Sequence, residues 1–429
     1  MNLPHGRATA LRRLLGPGSG TGELPAGITS ICSAHPLVIE AALGRTRKEG
    51  AYALIEATCN QVNQEGGYTG MRPADFRRFV EGIADSIGFP ADRLILGGDH
   101  LGPNPWKALP AEAAMQRAEA MVAAYVAAGF RKIHLDCSMG CAGEPQALPD
   151  EVTAARAARL AAVAEEVAGG TPPVYIIGTE VPPPGGATHA IAELAVTTPE
   201  AAQRTLEVHR LAFAQAGVEA ALERVIGIVV QPGVEFGNAN VVTYRPERAR
   251  ALSAALAEMP GLVFEAHSTD YQPAVALAAL VEDGFAILKV GPGLTFALRE
   301  ALYGLDAIAA ELDGRPRTLE PAMEALMLDK PQHWASHYPG TPAEQRLQRH
   351  FSYSDRIRYY WPEPQAATAV EALMAQLADR EIPETLVSQY LGRLYPAVAA
   401  GRVAARARPL CLAAIDAALD PYLEATAPR

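Results

Sequence analysis

Lysine is scarce in this chain. Of its 37 basic residues, five are lysine and 32 are arginine. Genomic base composition accounts for most of that bias, but it makes a lysine inside a strand conspicuous. Cysteine is equally sparse: Cys32, Cys59, Cys137, Cys141 and Cys411. Their odd number and wide spacing do not suit a disulfide framework, and Cys137 and Cys141 lack a second pair for a zinc ribbon. Reduced thiols and a cytoplasmic setting are the expectation. No run approaches the roughly 18 apolar residues of a membrane span. Residues 1–15 carry Arg7, Arg12 and Arg13 without a long apolar run, which predicts no signal peptide. Positive charge is in deficit, at net −11, which argues against a nucleic-acid or anionic-membrane binder.

What remains is a chain of 429 residues with ample apolar material, 49% hydrophobic and 20% charged. Intrinsic disorder is excluded on that basis. Eight short apolar runs recur: 28–32 (ITSIC), 51–58 (AYALIEAT), 93–100 (RLILGGDH), 132–138 (KIHLDCS), 174–180 (VYIIGTE), 225–232 (VIGIVVQP), 262–268 (LVFEAHS) and 286–291 (AILKVG). Their near-continuous apolar character suits strands covered on both faces of a parallel sheet. Segments of helical period lie between them, among them 110–128, 151–168, 199–216, 246–257 and 295–311. Pro73, Pro110, Pro199 and Pro246 sit near helix openings, where a missing N–H costs little. Strand then helix, eight times, is the arithmetic of a (β/α)8 TIM barrel. No G-x-G-x-x-G follows the first run, which counts against a dinucleotide-binding open sheet. We expect the barrel over residues 1–312. A helical extension packed on it is expected over residues 313–429, with a polar aromatic segment at 350–362 (HFSYSDRIRYYWP).

In such a barrel the active site forms at the C-terminal strand ends. Those positions hold Ser33, Glu56 and Asn60, then Asp99 and His100, Asp136 and Ser138, Glu180, Gln231, Glu265, His267 and Ser268, and Lys289. Ionisable groups buried at one rim must pair or bind a metal. His100 and His267 are the metal-ligand candidates, with Glu180 as an oxygen ligand or base. Asp99 and His100 would face opposite ways on an ideal strand, but a turn at the strand end lets both reach the site. Asp99 and Asp136 are then acid/base candidates. His134, two residues before Asp136, reads as core or as support to a ligand. The other histidines lack strand-end placement. Lys289 could form a Schiff base or serve electrostatically, and the electrostatic role is preferred. Gly291 to Thr295 open a helix whose N–H groups suit a phosphate.

These strings, with CSAHPLVIEAA at 32–42, IEATCNQVNQEGGYTGM at 55–71, LILGGDHLGPN at 94–104, IGTEVPPPGG at 177–186, VVQPGVEF at 229–236, FEAHSTDYQ at 264–272, LKVGPGLTFALREAL at 288–302 and YSDRIRYYWP at 353–362, resemble the GatZ/KbaZ family. The family is named after the non-catalytic subunit of class II tagatose-bisphosphate aldolase. The resemblance runs from about residue 28 to the C-terminus. It implies one of three roles: a stand-alone 4-epimerase interconverting D-tagatose 6-phosphate and D-fructose 6-phosphate, an accessory subunit of a class II aldolase, or a class II ketose-bisphosphate aldolase itself. Similarity to class II aldolases implies zinc held by three histidines, with an Asp beside the first. Asp99-His100 and His267 match that pattern, while Gln231 stands at the strand-6 position. It further implies retro-aldol cleavage between C3 and C4, rotation of the aldehyde and re-addition. Partners would be a ketose phosphate, an aldolase subunit, and further copies of the chain, since barrel enzymes are often oligomers.

Overall fold

Each apolar run carries a strand whose bounds lie within three residues of the run's own. The structure, a computed structural model, describes residues 5–16, 24–178 and 194–428. Strands β1 (Ile28–Cys32), β2 (Ala53–Thr58), β3 (Leu94–Leu101), β4 (Lys132–Leu135), β5 (Val174–Gly178), β6 (Val225–Val230), β7 (Val263–Ala266) and β8 (Ile287–Val290) pair in chain order. All are parallel, and β8 closes on β1, with Ser30 beside Lys289. The expected TIM barrel is the observed fold. A two-residue antiparallel ribbon, Glu235–Phe236 with Val241–Val242, follows β6.

Period-two alternation divides each strand between two environments. Ile55, Ile133, Phe264 and Leu288 face outward into the layer shared with the helices. Leu54, Ile176, Ile226 and Ile287 belong to a second, interior apolar cluster. Helix His5–Leu15 completes that interior cluster with Ala10, Leu11, Leu14 and Leu15, all buried. The floor of the barrel is therefore plugged by the N-terminal helix, an element the strand count did not anticipate.

The outer ring departs from simple alternation at one place. Helix Ala407–Thr426 packs against helices Pro36–Glu49 and Ala274–Glu282 and against β1. That is the position the eighth ring helix normally fills. Helix Pro292–Asp313, which follows β8, packs along the C-terminal helix. The chain end is tied to its beginning: Gly27 N–H donates to Thr426 O at 3.3 Å, and Tyr422 Oη donates to Thr269 O at 2.6 Å. Among the described residues, no helix is long and apolar enough to cross a membrane.

One irregularity positions the site. Between β3 and β4 the register runs from Gly98 opposite Ile133 to Leu101 opposite Leu135, so β3 carries one extra residue. This β-bulge re-aims the side chains around it. His100 sits at φ 49°, the left-handed region, and so turns to the same side as Asp99. Gly102, just beyond, lets the strand ends meet: a Cβ there would lie 1.7 Å from Asp136 O. We expect Gly102→Ala to destabilise the protein by about 1–3 kcal/mol through this clash. Activity should fall further than stability, as His100 and Asp136 separate. Thermal unfolding beside a turnover assay checks both.

Candidate active site

The interior face of each strand carries a period-two series into the barrel. On β4 and its extension this is Lys132, His134, Asp136. On β7 it is Val263, Glu265, His267. On β8 it is Ile287, Lys289. These series build two polar storeys above the apolar floor.

The lower storey is an ion network with almost no exposure. Lys132 Nζ lies 2.6 Å from Glu56 Oε1 and 2.7 Å from Glu265 Oε2. Lys289 Nζ lies 2.5 Å from Glu56 Oε2, 2.6 Å from Asp99 Oδ1 and 3.8 Å from Glu265 Oε1. Room for Glu56 comes from Gly97 on β3, where a Cβ would fall 2.7 Å from Glu56 Oε1. Burial would discharge Lys289, but Asp99 first, then Cys32, Glu56 and Glu265, hold it protonated. An ammonium held between carboxylates is a poor Schiff-base nucleophile, which favours the electrostatic role. Burial likewise opposes the charge on Asp99, and His100 and Lys289 more than offset it, keeping the carboxyl well below its usual range.

The upper storey holds three imidazoles with ring centroids 4.8 to 5.3 Å apart: His100, His134 and His267. The bonds at one nitrogen of each ring fix its tautomer. His100 Nδ1 donates to Asp136 Oδ2 at 2.8 Å. His134 Nε2 donates to Gly178 O at 3.1 Å, since a carbonyl only accepts. His267 Nε2 donates to Glu265 Oε1 at 2.9 Å. The other nitrogen of His134, Nδ1, accepts from His100 N–H at 3.2 Å and lies 3.0 Å from Asp99 Oδ1, and the other nitrogen of His100, Nε2, lies 3.7 Å from Asp99 Oδ2. One ligand atom from each ring and one from Asp99 all lie within 4.8 Å of one another. Imidazoles backed by carboxylate or carbonyl acceptors are the usual setting of a metal-binding histidine. Charge points the same way. Lys132 and Lys289 face four buried carboxylates, Glu56, Asp99, Asp136 and Glu265. The carboxylates outnumber the ammonium groups by two, a surplus that a divalent cation or protonated imidazoles would balance.

The third imidazole comes from β4, as His134, and not from β6. Gln231, at the end of β6, is turned to its own loop: its Oε1 accepts from Gly233 N at 2.8 Å and Val234 N at 2.9 Å. Its oxygen is thus engaged, and only the amide N–H remains to offer. Ser138 Oγ donates to Asp136 Oδ1 at 2.8 Å and so braces the His100 partner. Ser268 follows His267 at φ 52° and is buried. Asn60 is exposed and lies outside the polar storeys. Glu180 lies outside the described residues. The helix opening after β8 is also occupied from within. Asp270 Oδ1 accepts from Gly291 N at 3.0 Å and Gly293 N at 2.7 Å, which puts a carboxylate where a phosphate was expected. Thr295 Oγ1 donates to Asp355 Oδ2 at 2.6 Å, in the extension.

A cleft of about 880 Å³ opens above β1, lined by Cys32, Ser33, His35, Gln61, Thr295 and Arg358 among others. Cys32 joins it to the polar storeys, its Sγ lying 3.7 Å from Asp99 Oδ2. The far wall belongs to the extension, through Trp361, Val370 and Met374. Sequence reasoning left out His134, Lys132, Asp270 and Arg358. For the first two a signal was present, since both share the face of Asp136 by period two.

With this geometry in hand, the comparisons are specific. A profile described as D-tagatose-1,6-bisphosphate aldolase subunit GatZ/KbaZ-like matches residues 20–427. The chain belongs to the GatZ/KbaZ-like family. A curated member from Agrobacterium fabrum, named D-tagatose 6-phosphate 4-epimerase, is 59% identical over 407 residues, 94% of this chain and 95% of its own. A crystal structure from Sinorhizobium meliloti, described as a probable tagatose 6 phosphate kinase, superposes with TM-score 0.87 at 63% identity. It covers 93% of this chain and 100% of that one. The GatZ/KbaZ-like fold and its barrel-plus-extension layout are thus shared over nearly full length.

Two outcomes follow from the electrostatics. Lys132→Met should cost about 3–5 kcal/mol in chemical denaturation, because it strands Glu56 and Glu265 in a dry interior. Asp270 gives a pH signature. Burial lifts its pKa from 3.8 to about 6, against the opposing bonds from Gly293 and Gly291. A folded pKa raised above the unfolded one adds stability below about pH 4 that is lost as pH climbs through 6. Asp270→Asn keeps the accepting oxygen and removes the titration. Its stability relative to wild type should therefore rise by about 2–3 kcal/mol between pH 4 and 7. Denaturation midpoints across that range provide the check.

Proposed function

We propose that this chain is a sugar-phosphate 4-epimerase that interconverts D-tagatose 6-phosphate and D-fructose 6-phosphate. The observation that carries the reading is the convergence of His100, His134, His267 and an ionised Asp99 beside the cleft. The two ketose phosphates differ only in configuration at C4, which bears no acidic C–H. Inversion there is achieved by cleaving C3–C4, turning the aldehyde and re-forming the bond on its other face. His100 and His267 with Glu180, joined by His134 once its Nδ1 gives up the bond from His100 N–H, would hold a divalent ion, and an imidazole-rich set suits zinc. Such an ion supplies Lewis-acid polarisation of the C2 carbonyl.

The protein's own groups do the rest. Asp99 takes the C4 hydroxyl proton as the C3–C4 bond breaks and returns it after rotation. Lys289 keeps that carboxylate ionised and oriented. Asp136, steadied by Ser138, fixes the His100 tautomer. Ser33, on the cleft wall, would meet a substrate oxygen, while Thr295, whose hydroxyl is given to Asp355, would act by holding that turn. The A. fabrum relative bears this activity in its name. A kinase reading, from the S. meliloti description, calls for free N–H groups to cradle nucleotide phosphates, and at Gly291 and Gly293 Asp270 takes them up.

The test is to incubate the purified chain alone with D-tagatose 6-phosphate and a divalent metal and to resolve the sugars. Fructose 6-phosphate is the expected product. Triose products would indicate an aldolase instead, and turnover only after adding an aldolase subunit would indicate an accessory role. His134→Ala should lower bound metal by elemental analysis and cut turnover by about a hundredfold or more, the scale of several kcal/mol of lost polarisation. Unchanged metal content in that variant would remove His134 from the ligand set.

A further inference from the structure

A sugar phosphate needs a cation or a nest of N–H groups for its phosphate. Lys289 is neutralised by Glu56 and Asp99, and the helix opening after β8 is filled by Asp270. Neither group expected from sequence is free to hold that anion. One cation on the cleft wall has a different character.

Arg358 comes from the extension, in the short helical turn Arg356–Tyr360. The buried arginines Arg299 and Arg349 each have a carboxylate partner, Asp355 and Glu324. Among the described residues, Arg358 has none. Its bonds go to neutral acceptors: Nη1 donates to Ser354 O and Asp355 O, and Nη2 to Tyr359 Oη at 3.3 Å. Its guanidinium also lies 4.6 Å from the centre of the Tyr359 ring. The Nε–H and one Nη2–H are left over. Nε and Nη2 form the guanidinium edge that engages an oxyanion through two parallel bonds.

The turn that presents Arg358 is held rigidly. Asp355 adopts φ 44°, a strained value for a non-glycine residue. It is clamped by Thr295 Oγ1 and Arg299 Nε, both from the helix after β8. Tyr271 Oη donates to Tyr353 O at 2.6 Å on the other side. A strained turn, over-determined by the barrel, presents a charged fork with no anionic partner into a cleft that leads to Asp99.

We propose that Arg358 is the group that binds the phosphate of the substrate. The assignment rests on the sugar-phosphate reading above. The cleft between barrel and extension would then be read at two points. Asp99 and the histidines meet C2 to C4, and Arg358 meets the phosphate.

The experiment compares wild type, Arg358→Gln and Arg358→Lys. The first readout is the melting temperature in inorganic phosphate against chloride at equal ionic strength. The second is KM and kcat for D-tagatose 6-phosphate. Phosphate should stabilise wild type and neither variant, because a ligand stabilises only the state that binds it. KM should rise by about 10- to 100-fold in Arg358→Gln, with kcat changed far less, as expected for a bond made equally to substrate and transition state. Arg358→Lys retains charge and a donor toward the turn carbonyls, so it carries the test if the glutamine variant fails to fold. Phosphate stabilisation equal in all three proteins, or an unchanged KM, would overturn the proposal. So would a loss of stability in the variants without any phosphate effect on wild type; Arg358 would then be a distant counterion to Asp270. If phosphate stabilises wild type through Arg358 while no sugar is epimerised, the 4-epimerase reading fails and the phosphate site stands.

Discussion

The interior of this barrel must keep charges out of water. Lys132 and Glu56 are fully buried, and so is Glu265. Any one of them alone would be intolerable in a dry core. With Lys289 and Asp99 they form a closed arrangement in which Lys132 meets two carboxylates and Lys289 three. Removing one member leaves another unpaired, so the set stands or falls as a unit. It also fixes what lies above it. Glu265 is shared between Lys132 below and His267 above, and Asp99 pairs Lys289 and lies against His134. His267 is thus oriented from beneath by a group that cannot move independently.

Orientation of the rings has a chemical consequence. A histidine offers a lone pair only from the nitrogen that lacks the proton. Here three different acceptors, a carboxylate on β4, a carbonyl on β5 and a carboxylate on β7, each claim one N–H. The three rings and Asp99 meet at a common centre. The β3 bulge and the left-handed His100 bring the Asp99–His100 pair into that centre together. Backbone strain at His100 and Ser268 is concentrated where the chemistry is proposed, as expected when the surrounding structure over-determines a functional geometry.

The strands, their order and the site-bearing end of the barrel were legible because parallel strands announce themselves as apolar runs, and barrel closure follows from their number. Within KIHLD and VFEAH, period two alone puts Lys132, His134 and Asp136, or Glu265 and His267, on one face. That signal was present for His134, which as a mid-strand residue reads from sequence as core or as support to a ligand. The competing fact, that Gln231 spends its oxygen on the backbone of Gly233 and Val234, is a matter of loop geometry and invisible in composition. The same holds for Asp270, whose carboxylate reaches N–H groups 21 and 23 residues away. The last helix gave no sign that it would fill the eighth place in the ring, because ring position is decided by packing against distant helices and not by local periodicity.

The Asp270 cap has a wider effect on how the molecule divides its labour. In many barrels the loop after β8 grips phosphate with backbone N–H groups. Here a carboxylate has taken that place, and at neutral pH it would repel a phosphate brought to the same point. The anion must be met elsewhere along the cleft. The opposite wall belongs to the extension, which contributes Arg358 on a turn clamped to the barrel by Thr295 and Arg299. Under the Arg358 proposal, phosphate recognition shifts from the barrel to the extension, and the barrel keeps the polar storeys without a complete site. A chain arranged in that way would have to dock its extension before it could hold substrate, which would make the 352–360 segment part of the chemistry and not only of the packing.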